Sequence, residues 1–309
     1  MIEILLKTAP FFALIGLGYG AARVRLFPPE AAGTLTSFVF YFALSAMLFR
    51  FSANLSLSEI FDGPLGLAYL AGTTAVYALA MAAAFARGMD TATAAIEAQT
   101  AAIGNTGFLG VPMLAVLLGS QAVGPIILIL TIDLIVFSSA LTILVTVSRG
   151  GQSGWRAFTG VLGGLIRNPM IVSISLGLAV SALRLPIPGV ANEFLTILGN
   201  AATPGALFAI GVSLASKSAE RLEIAAWLSF AKLVLHPGFV ALTAFLVFPV
   251  DPYKAVVAVS AAALPVAGNV FILAQQYKTA PQRVSAAILL SHVAAVVTLP
   301  AVIALAAGS

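Results

Sequence analysis

The sequence predicts an all-α polytopic membrane protein with ten transmembrane helices in two inverted five-helix repeats. Three observations support this fold class. Hydrophobic residues make up 61% of the 309 residues and charged residues only 8%, too little charge for the surface of a soluble protein. The apolar residues form repeated blocks of roughly 18 to 27 residues, long enough to cross a hydrocarbon core about 30 Å thick. The basic residues lie singly between these blocks, so the net charge of +4 forms no nucleic-acid-binding patch.

Each block is predicted to be a helix, because backbone groups in lipid must be satisfied within a segment and the blocks are too long for barrel strands. The first block runs on past Gly20 and many equally apolar blocks follow it, so it is read as a retained span rather than a signal peptide. The predicted spans are 2–22, 31–51, 64–86, 95–118 and 122–148 in the first half, and 168–184, 191–216, 222–248, 254–277 and 281–307 in the second.

The longest polar stretch, 149–157, marks the junction of the two halves. We predict a first repeat over residues 1–148, a cytoplasmic linker or interfacial segment over 149–167, and a second repeat over 168–309. The hexapeptides 44–49 and 203–208 give a weak similarity between spans 2 and 7. Repeats of this kind are typical of proteins whose binding site lies where the repeats meet near the midplane.

The distribution of Lys and Arg predicts the orientation. One set of alternate loops carries ten basic residues and the other set four, which places the first set in the cytoplasm and both termini on the periplasmic side. An odd number of spans in each half then gives the halves opposite orientations. The first set is Arg23, Arg25, Arg87, Arg149, Arg156, Arg167, Lys217, Arg221, Lys278 and Arg283, and the second is Lys7, Arg50, Arg184 and Lys254.

Spans 4 and 9 each contain an interruption in the middle of an apolar run. Proline removes a hydrogen-bond donor and collides with the preceding turn, and glycine frees the backbone to unwind. We predict broken helices at both places. The residues at the predicted breaks are Gly104, Gly110 and Pro112 in span 4 and Pro265 and Gly268 in span 9.

A helix broken in mid-bilayer exposes N–H groups at one end, where the partial positive charge suits a carboxylate. Asn105, Thr106 and Asn269 add side-chain donors and acceptors at the predicted breaks. The alternative is that glycine and proline only kink these helices or allow close packing. The matching positions in the two halves favour a binding site.

Five ionisable residues lie within or near the predicted spans. Asp133 is in span 5, Lys232 and His236 are four residues apart on one face of span 8, His292 is in span 10, and Glu97 is near the start of span 4. One interpretation makes Asp133 and Lys232 a coupling or gating pair, with His236 or His292 as auxiliary proton carriers and Glu97 as a further coupling or gating candidate. The alternatives are a structural Asp–Lys pair, histidines that only pack, and a Glu97 that is solvated at the interface.

Several classes of function are disfavoured. The chain has no cysteine, which excludes disulfides, thiolate metal ligands and cysteine nucleophiles. The zinc-protease motif H-E-x-x-H, the nucleophile elbow G-x-S-x-G and the Walker lysine loop do not occur. We therefore predict no enzyme, no metal site and no cofactor, although coupling to H⁺ or Na⁺ remains an option for a membrane protein of this kind.

Four segments resemble the auxin efflux carrier family, and the likeness extends over nearly the whole chain. The short central loop is similar to that of the bacterial members. The segments are G-N-T-G-F-L-G-V-P at 104–112, T-P-G-A-L-F-A-I-G at 203–211, K-L-V-L-H-P at 232–237 and P-V-A-G-N-V at 265–270.

The resemblance implies crossed, broken helices 4 and 9 and an elevator-like mechanism. Spans 1, 2, 6 and 7 would form a scaffold, and spans 3–5 and 8–10 would carry the substrate. It also implies that Asn105, Pro112, Pro265 and Asn269 mark the crossover and an anion site. The sequence departs from the family at Ser45, where a proline is frequent, and at His292. The candidate substrate-binding residues are Asn105, Thr106, Gly107, Asn269, Val270 and Ser45.

The expected function is secondary transport of a small carboxylate such as malonate, malate or an auxin-like acid across the inner membrane of a bacterium. The expected partners are this substrate and the lipid bilayer, with a homodimer through the scaffold spans as an option. Two alternatives stay open. One is a sodium-coupled carrier of the bile-acid symporter type, with Glu97, Gln99, Asn105 and Gln275 as candidate ligands. The other is a proton or cation antiporter that uses Asp133.

Overall fold

The computed structural model describes residues 2–55, 62–149, 154–215 and 222–308. These residues form helices joined by short loops, and the part of the chain described contains no strand beyond one isolated bridge. The helices are α1 Ile2–Arg23, α2 over 29–53, α3 Gly63–Ala86, α4 Thr91–Ala102, α5 Thr106–Leu118, α6 Ser120–Ser148, α7 Gly154–Arg167, α8 Pro169–Ala182, α9 Gly189–Ala215, α10 Leu222–Val247, α11 Pro252–Ala262, α12 Gly268–Gln276 and α13 Pro281–Ala306.

Seven helices are long and apolar enough to cross a membrane, namely α1, α2, α3, α6, α9, α10 and α13. Each coincides with a predicted span to within two residues at both ends. Helices α7 and α8 together are a further candidate for a membrane span, with a bend of 69° between the two helices. The chain is therefore an all-helical, multi-pass membrane protein, while the total of ten spans stays a prediction.

The predicted spans 4 and 9 are each divided into two short helices. Helix α4 is separated from α5 by residues 103–105, and α11 is separated from α12 by residues 263–267. The predicted start of span 4 at residue 95 is wrong, because α4 already begins at Thr91. The carboxylate of Asp90 accepts the N–H of Thr93 at 2.7 Å and caps this helix. Hydrogen bonds from Thr93 lower the pKa of Asp90 below its usual value, so the cap is ionised at neutral pH.

An ion pair joins the N-terminal ends of α3 and α11. Asp62 caps α3 by accepting the N–H of Leu65 at 2.9 Å, and it pairs with Lys254 of α11 at 2.5 Å. Partial burial acts to raise the pKa of Asp62, but the hydrogen bonds from Lys254 and Leu65 outweigh it, and the pKa lies below its usual value.

Close helix packing depends on glycine at three interfaces. A side chain at Gly18 would meet the backbone of Phe208, where α1 packs on α9. In the same way Gly177 of α8 lies against the backbone of α2, and Gly72 of α3 lies against the backbone of Val240 in α10. Small residues of this kind allow helices to approach in a membrane, where no hydrophobic force drives association.

The packing divides most helices into two groups. The first group is α1, α2, α8 and α9; the second group is α3, α4, α6, α10, α11, α12 and α13. Helix α5 packs against both, since it contacts α1 and α9 on one side and α6 and α11 on the other, and α13 also contacts α1.

The predicted linker is only partly described. Helix α7 occupies 154–167 and packs on the end of α6 before it turns into α8. Residues 150–153 of the linker lie outside the described residues, as do Lys217, Arg221 and the side chain of Arg156 from the orientation count.

Candidate functional site

The two helix breaks contact each other. Gly104 and Val266 form an isolated antiparallel bridge, and residues 103–105 and 265–267 around it are buried. We call these two tripeptides, together with the first turns that follow them (106–110 and 268–269), the junction. Non-helical backbone at membrane depth is tolerated only where protein or a water-filled cavity surrounds it, and the junction meets that condition.

Hydrogen bonds across the junction satisfy the unwound backbone. The N–H of Asn105 donates to the carbonyl of Pro265 at 2.8 Å, and the N–H of Ala267 donates to the carbonyl of Ile103 at 3.1 Å. The N–H of Val266 donates to the hydroxyl of Ser291 in α13 at 3.1 Å. Sequence reasoning missed Ser291, because a serine in an apolar helix carries no local signal of such a long-range contact.

The glycines of the junction make room for neighbouring side chains. A Cβ atom at Gly104 would lie 3.2 Å from Nζ of Lys232, and one at Gly110 would meet the end of Leu264 at 2.5 Å. At Gly107 a Cβ would meet the methyl group of Met170, which belongs to α8 of the first group. Gly268 differs, because it is exposed and faces open space.

Two helices begin at the junction and direct their N-termini there. Among the described residues, the backbone N–H groups of Gly107 and Phe108 at the start of α5 have no partner, and neither do those of Gly268 and Asn269 at the start of α12. Such amides and the helix dipole favour an anion.

Two predicted asparagines lie beside these amides. The side chain of Asn105 is buried, and its backbone N–H is the group that donates across the junction. The Oδ1 atom of Asn269 is buried and has no partner in the described part of the chain. A buried polar atom without a partner costs free energy unless a ligand or water satisfies it.

Asp133 lies next to the start of α5. It is 3% exposed, and its carboxylate accepts hydrogen bonds from the hydroxyl of Tyr69 at 2.9 Å and of Thr106 at 3.5 Å. It also begins a π-helical turn of α6, and such turns are frequent at functional sites. Tyr69 in α3 was not predicted as part of the site.

Lys232 belongs to α10, and its fully buried side chain reaches the C-terminal end of α11. Its ammonium donates to the carbonyl of Ala262 at 2.5 Å and to Nδ1 of His236 at 3.0 Å. With Lys232 protonated, Nδ1 is the acceptor and Nε2 carries the proton, which faces the hydroxyl of Thr73 at 3.0 Å. Thr73, like Tyr69, was not predicted.

The predicted pair of Asp133 and Lys232 is not a direct ion pair among the described residues. Tyr69 contacts both sides of the cluster, since its hydroxyl donates to Asp133 and its ring centroid is 5.8 Å from that of His236, the neighbour of Lys232. One buried polar cluster therefore contains both charges and includes residues of α3, α5, α6, α10 and α11. Its members are Tyr69, Thr73, Thr106, Asp133, Lys232, His236 and the carbonyl of Ala262.

The interpretation of Glu97 as a solvated residue is wrong. Its side chain is 1% exposed, and its two oxygens pair with Arg87 and Arg283. Arg283 also contacts the sulfur of Met89 at 3.2 Å. These contacts join the α3–α4 loop to the first turn of α13. Sequence reasoning could not find them, because Glu97 and Arg283 are separated by most of the chain.

The structure does not bring the remaining predicted residues into the polar cluster by hydrogen bonds. Nδ1 of His292 donates to the carbonyl of Ile288 at 2.9 Å, and the hydroxyl of Ser45 donates to Phe40 at 3.0 Å within its own helix. Val270 and Pro112 are buried beside the junction. Of the candidate sodium ligands, Glu97 is held by arginines, Gln99 is buried and Gln275 is exposed.

Comparison with known proteins agrees with the membrane fold. The model of the family described as "Membrane transport protein" matches residues 3–303. A protein of Rhizobium meliloti (strain 1021), named "Putative malonate transporter", is 34% identical over 302 residues, which are 96% of this chain and 94% of that protein. The chain therefore belongs to the membrane transport protein family, that of the auxin efflux carriers, and is a transporter rather than an enzyme.

Proposed function

We propose that this chain is a secondary transporter of small organic anions, and that the substrate carboxylate binds at the junction. The observation that carries the proposal is the meeting of two buried helix breaks, each with unpartnered backbone N–H groups at the start of the following helix. Asn105 and Asn269 orient the carboxylate, Thr106 lies beside them, and the dipoles of α5 and α12 offset its charge. The name of the relative makes malonate the first ligand to test.

The two groups of helices support an elevator mechanism. The first group corresponds to the proposed scaffold spans 1, 2, 6 and 7, and the second group with α5 corresponds to the moving spans. The contacts of α5 with the first group include Phe108 against Phe40, with ring centroids 6.2 Å apart. Such apolar contacts are not directional, so one group of helices can slide past the other and form new contacts with a small change in free energy. A homodimer would form through the scaffold.

The proposed topology contains ten spans in two inverted repeats, 1–148 and 168–309, joined by the linker 149–167. The pairs α4–α5 and α11–α12 each count as one broken span, and α8 completes the second repeat. Both termini lie on the periplasmic side of a bacterial inner membrane, as the distribution of Lys and Arg favours.

Alanine at the two junction asparagines tests the substrate site. In proteoliposomes, we expect Asn105→Ala and Asn269→Ala each to lower malonate uptake by about tenfold, the loss typical of one polar contact to a charged group. The melting temperature without ligand should change little. Asn192→Ala, at an exposed position in α9, is the matched control and should retain uptake. Full uptake by both junction variants would refute the proposed site.

A proton assay separates this proposal from antiport through Asp133. A pH-sensitive dye inside the vesicles reports proton movement after a pH jump. The proposal expects no protein-dependent movement without carboxylate, whereas a proton antiporter produces movement that Asp133→Asn abolishes.

A further inference from the structure

The carbonyl at the end of α11 already has a cation as its partner. Ala262 is the last residue of α11, where the helix dipole gives the carbonyls partial negative charge. In ion-coupled carriers, carbonyls at such broken-helix ends coordinate the coupling cation. Here the carbonyl of Ala262 accepts from Nζ of Lys232 at 2.5 Å.

The surroundings hold this ammonium at the junction. Nζ is 3.0 Å from Nδ1 of His236 and is fully buried. It also packs against Gly104, where a Cβ would come within 3.2 Å of it. Any residue other than glycine at position 104 would push Lys232 or Leu264 back by a few tenths of an ångström.

An acidic side chain lies in the same buried cluster as this lysine. A charged side chain deep in a membrane is costly unless it is paired or hydrogen-bonded. Asp133 belongs to the same buried cluster, next to the N-terminus of α5, while Lys232 is next to the C-terminus of α11. Each charge lies at the helix end that favours its sign.

We propose that Lys232 is a resident cation of the junction, occupying the position that a coupling sodium ion would take, so that carboxylate transport needs no sodium. This inference rests on the proposed function. Of the groups suggested by sequence for a sodium site, both oxygens of Glu97 bind arginines and Gln275 is exposed, whereas Oε1 of Gln99 is buried and has no partner in the described part of the chain.

Uptake measurements test the inference in proteoliposomes at a fixed membrane potential. Wild-type malonate uptake should differ by less than about twofold when potassium or choline replaces sodium. Lys232→Ala should lower sodium-free uptake by at least about tenfold, because the carbonyl loses its cation. Added sodium should restore part of that uptake. Lys254→Ala, which removes a lysine paired at the membrane surface, is the control and should show neither effect.

A thermal-shift measurement tests the same inference without any carboxylate. Sodium should not raise the melting temperature of the wild-type protein above the value in potassium. It should raise that of Lys232→Ala, because a ligand that binds only the folded state stabilises it. Lys232→Met is a second variant if the alanine variant does not fold.

Two outcomes would overturn the inference. One is a saturable sodium requirement, or a sodium-specific thermal shift, in the wild-type protein. The other is sodium-free uptake by a folded Lys232 variant at the wild-type rate. Absence of wild-type carboxylate uptake in every buffer would refute the proposed function instead, and the thermal-shift result would still decide the role of Lys232.

Discussion

Glu97 shows how a single buried carboxylate organises one face of the protein. Its two oxygens bind Arg87, which follows α3, and Arg283, in the first turn of α13. The side chain of Glu97 is 1% exposed, whereas those of Arg87 and Arg283 are 30% and 14% exposed. The acceptor in this ion pair is therefore more desolvated than either donor.

Removal of that charge should destabilise the protein. We expect Glu97→Gln to lower the free energy of unfolding by about 2 to 3 kcal/mol, because two partly buried guanidinium groups lose their counter-ion. Chemical unfolding in detergent measures the effect. Glu193→Gln changes an exposed glutamate of α9 and should shift stability by less than about 0.5 kcal/mol. Equal effects of both changes would contradict the buried ion pair.

Tyr69 donates a hydrogen bond to the buried carboxylate of Asp133. Tyr69→Phe removes the hydroxyl that donates to Asp133 at 2.9 Å, and we expect a loss of about 1 to 3 kcal/mol of stability, the cost of an unsatisfied buried acceptor. Tyr41→Phe, at an exposed position in α2, serves as the control. Thermal unfolding of the two variants compares the same chemical change at a buried and an exposed site. No difference between them would show that the hydrogen bond does not stabilise the fold.

Helices α3 and α10 approach so closely at Gly72 that no side chain would fit between their backbones. A Cβ at Gly72 would lie 2.9 Å from the backbone of Val240, which cannot rotate away, whereas one at Gly66 would meet only side-chain methyl groups at 3.8 Å or more. The α3–α10 contact also carries the hydrogen bond between Thr73 and His236. A change in this spacing therefore alters the polar cluster as well as the packing.

Alanine at these two positions of α3 tests the role of the spacing. We expect Gly72→Ala to destabilise the protein by about 1 to 3 kcal/mol through overpacking. Gly66→Ala should be neutral or slightly stabilising, because alanine is the better helix former. The melting temperatures of both variants give the comparison, and a neutral Gly72→Ala would show that the helices can separate freely.

The division into two helix groups leads to a prediction for the whole molecule. The chain has no cysteine, so introduced pairs can be cross-linked selectively. A bis-maleimide link between Phe40→Cys in α2 and Phe108→Cys in α5 connects the first group to the junction and should block uptake. A link between Phe27→Cys and Phe208→Cys, whose rings are 5.1 Å apart, lies on the α1–α9 side and should leave uptake intact. Unimpaired uptake after the first link would show that α2 and α5 need not move relative to each other during transport.

Sequence patterns predicted the long helices well because few backbone conformations are stable in lipid. An apolar block must satisfy its own backbone, so the blocks at 64–86 and 222–248 became α3 and α10 within one residue at each end. The breaks were also visible, since glycine and proline act locally. The π-helical turn that begins at Asp133 was not visible, because no single residue type encodes it.

The polar cluster was predicted only in part, for a physical reason. Asp133, Lys232 and His236 stand out because charge is rare in a membrane span. Tyr69 and Thr73 do not stand out, since aromatic and hydroxyl side chains are common there. Only the packing of α3 on α6 and α10 brings them to the site. Likewise, Glu97 looked solvated because its arginine partner in α13 is distant in sequence.

The bridge between residues 104 and 266 also sets an order of events during biosynthesis. The ribosome delivers Ile103 and Asn105 long before it delivers Pro265 and Ala267, whose backbone groups are their hydrogen-bond partners. In the proposed topology the first break until then has polar backbone without those partners inside the membrane, at a cost of several kcal/mol per group. The early helices must therefore wait beside the insertion machinery or hold water at that break, and the protein completes its fold only when the last quarter of the chain enters the membrane.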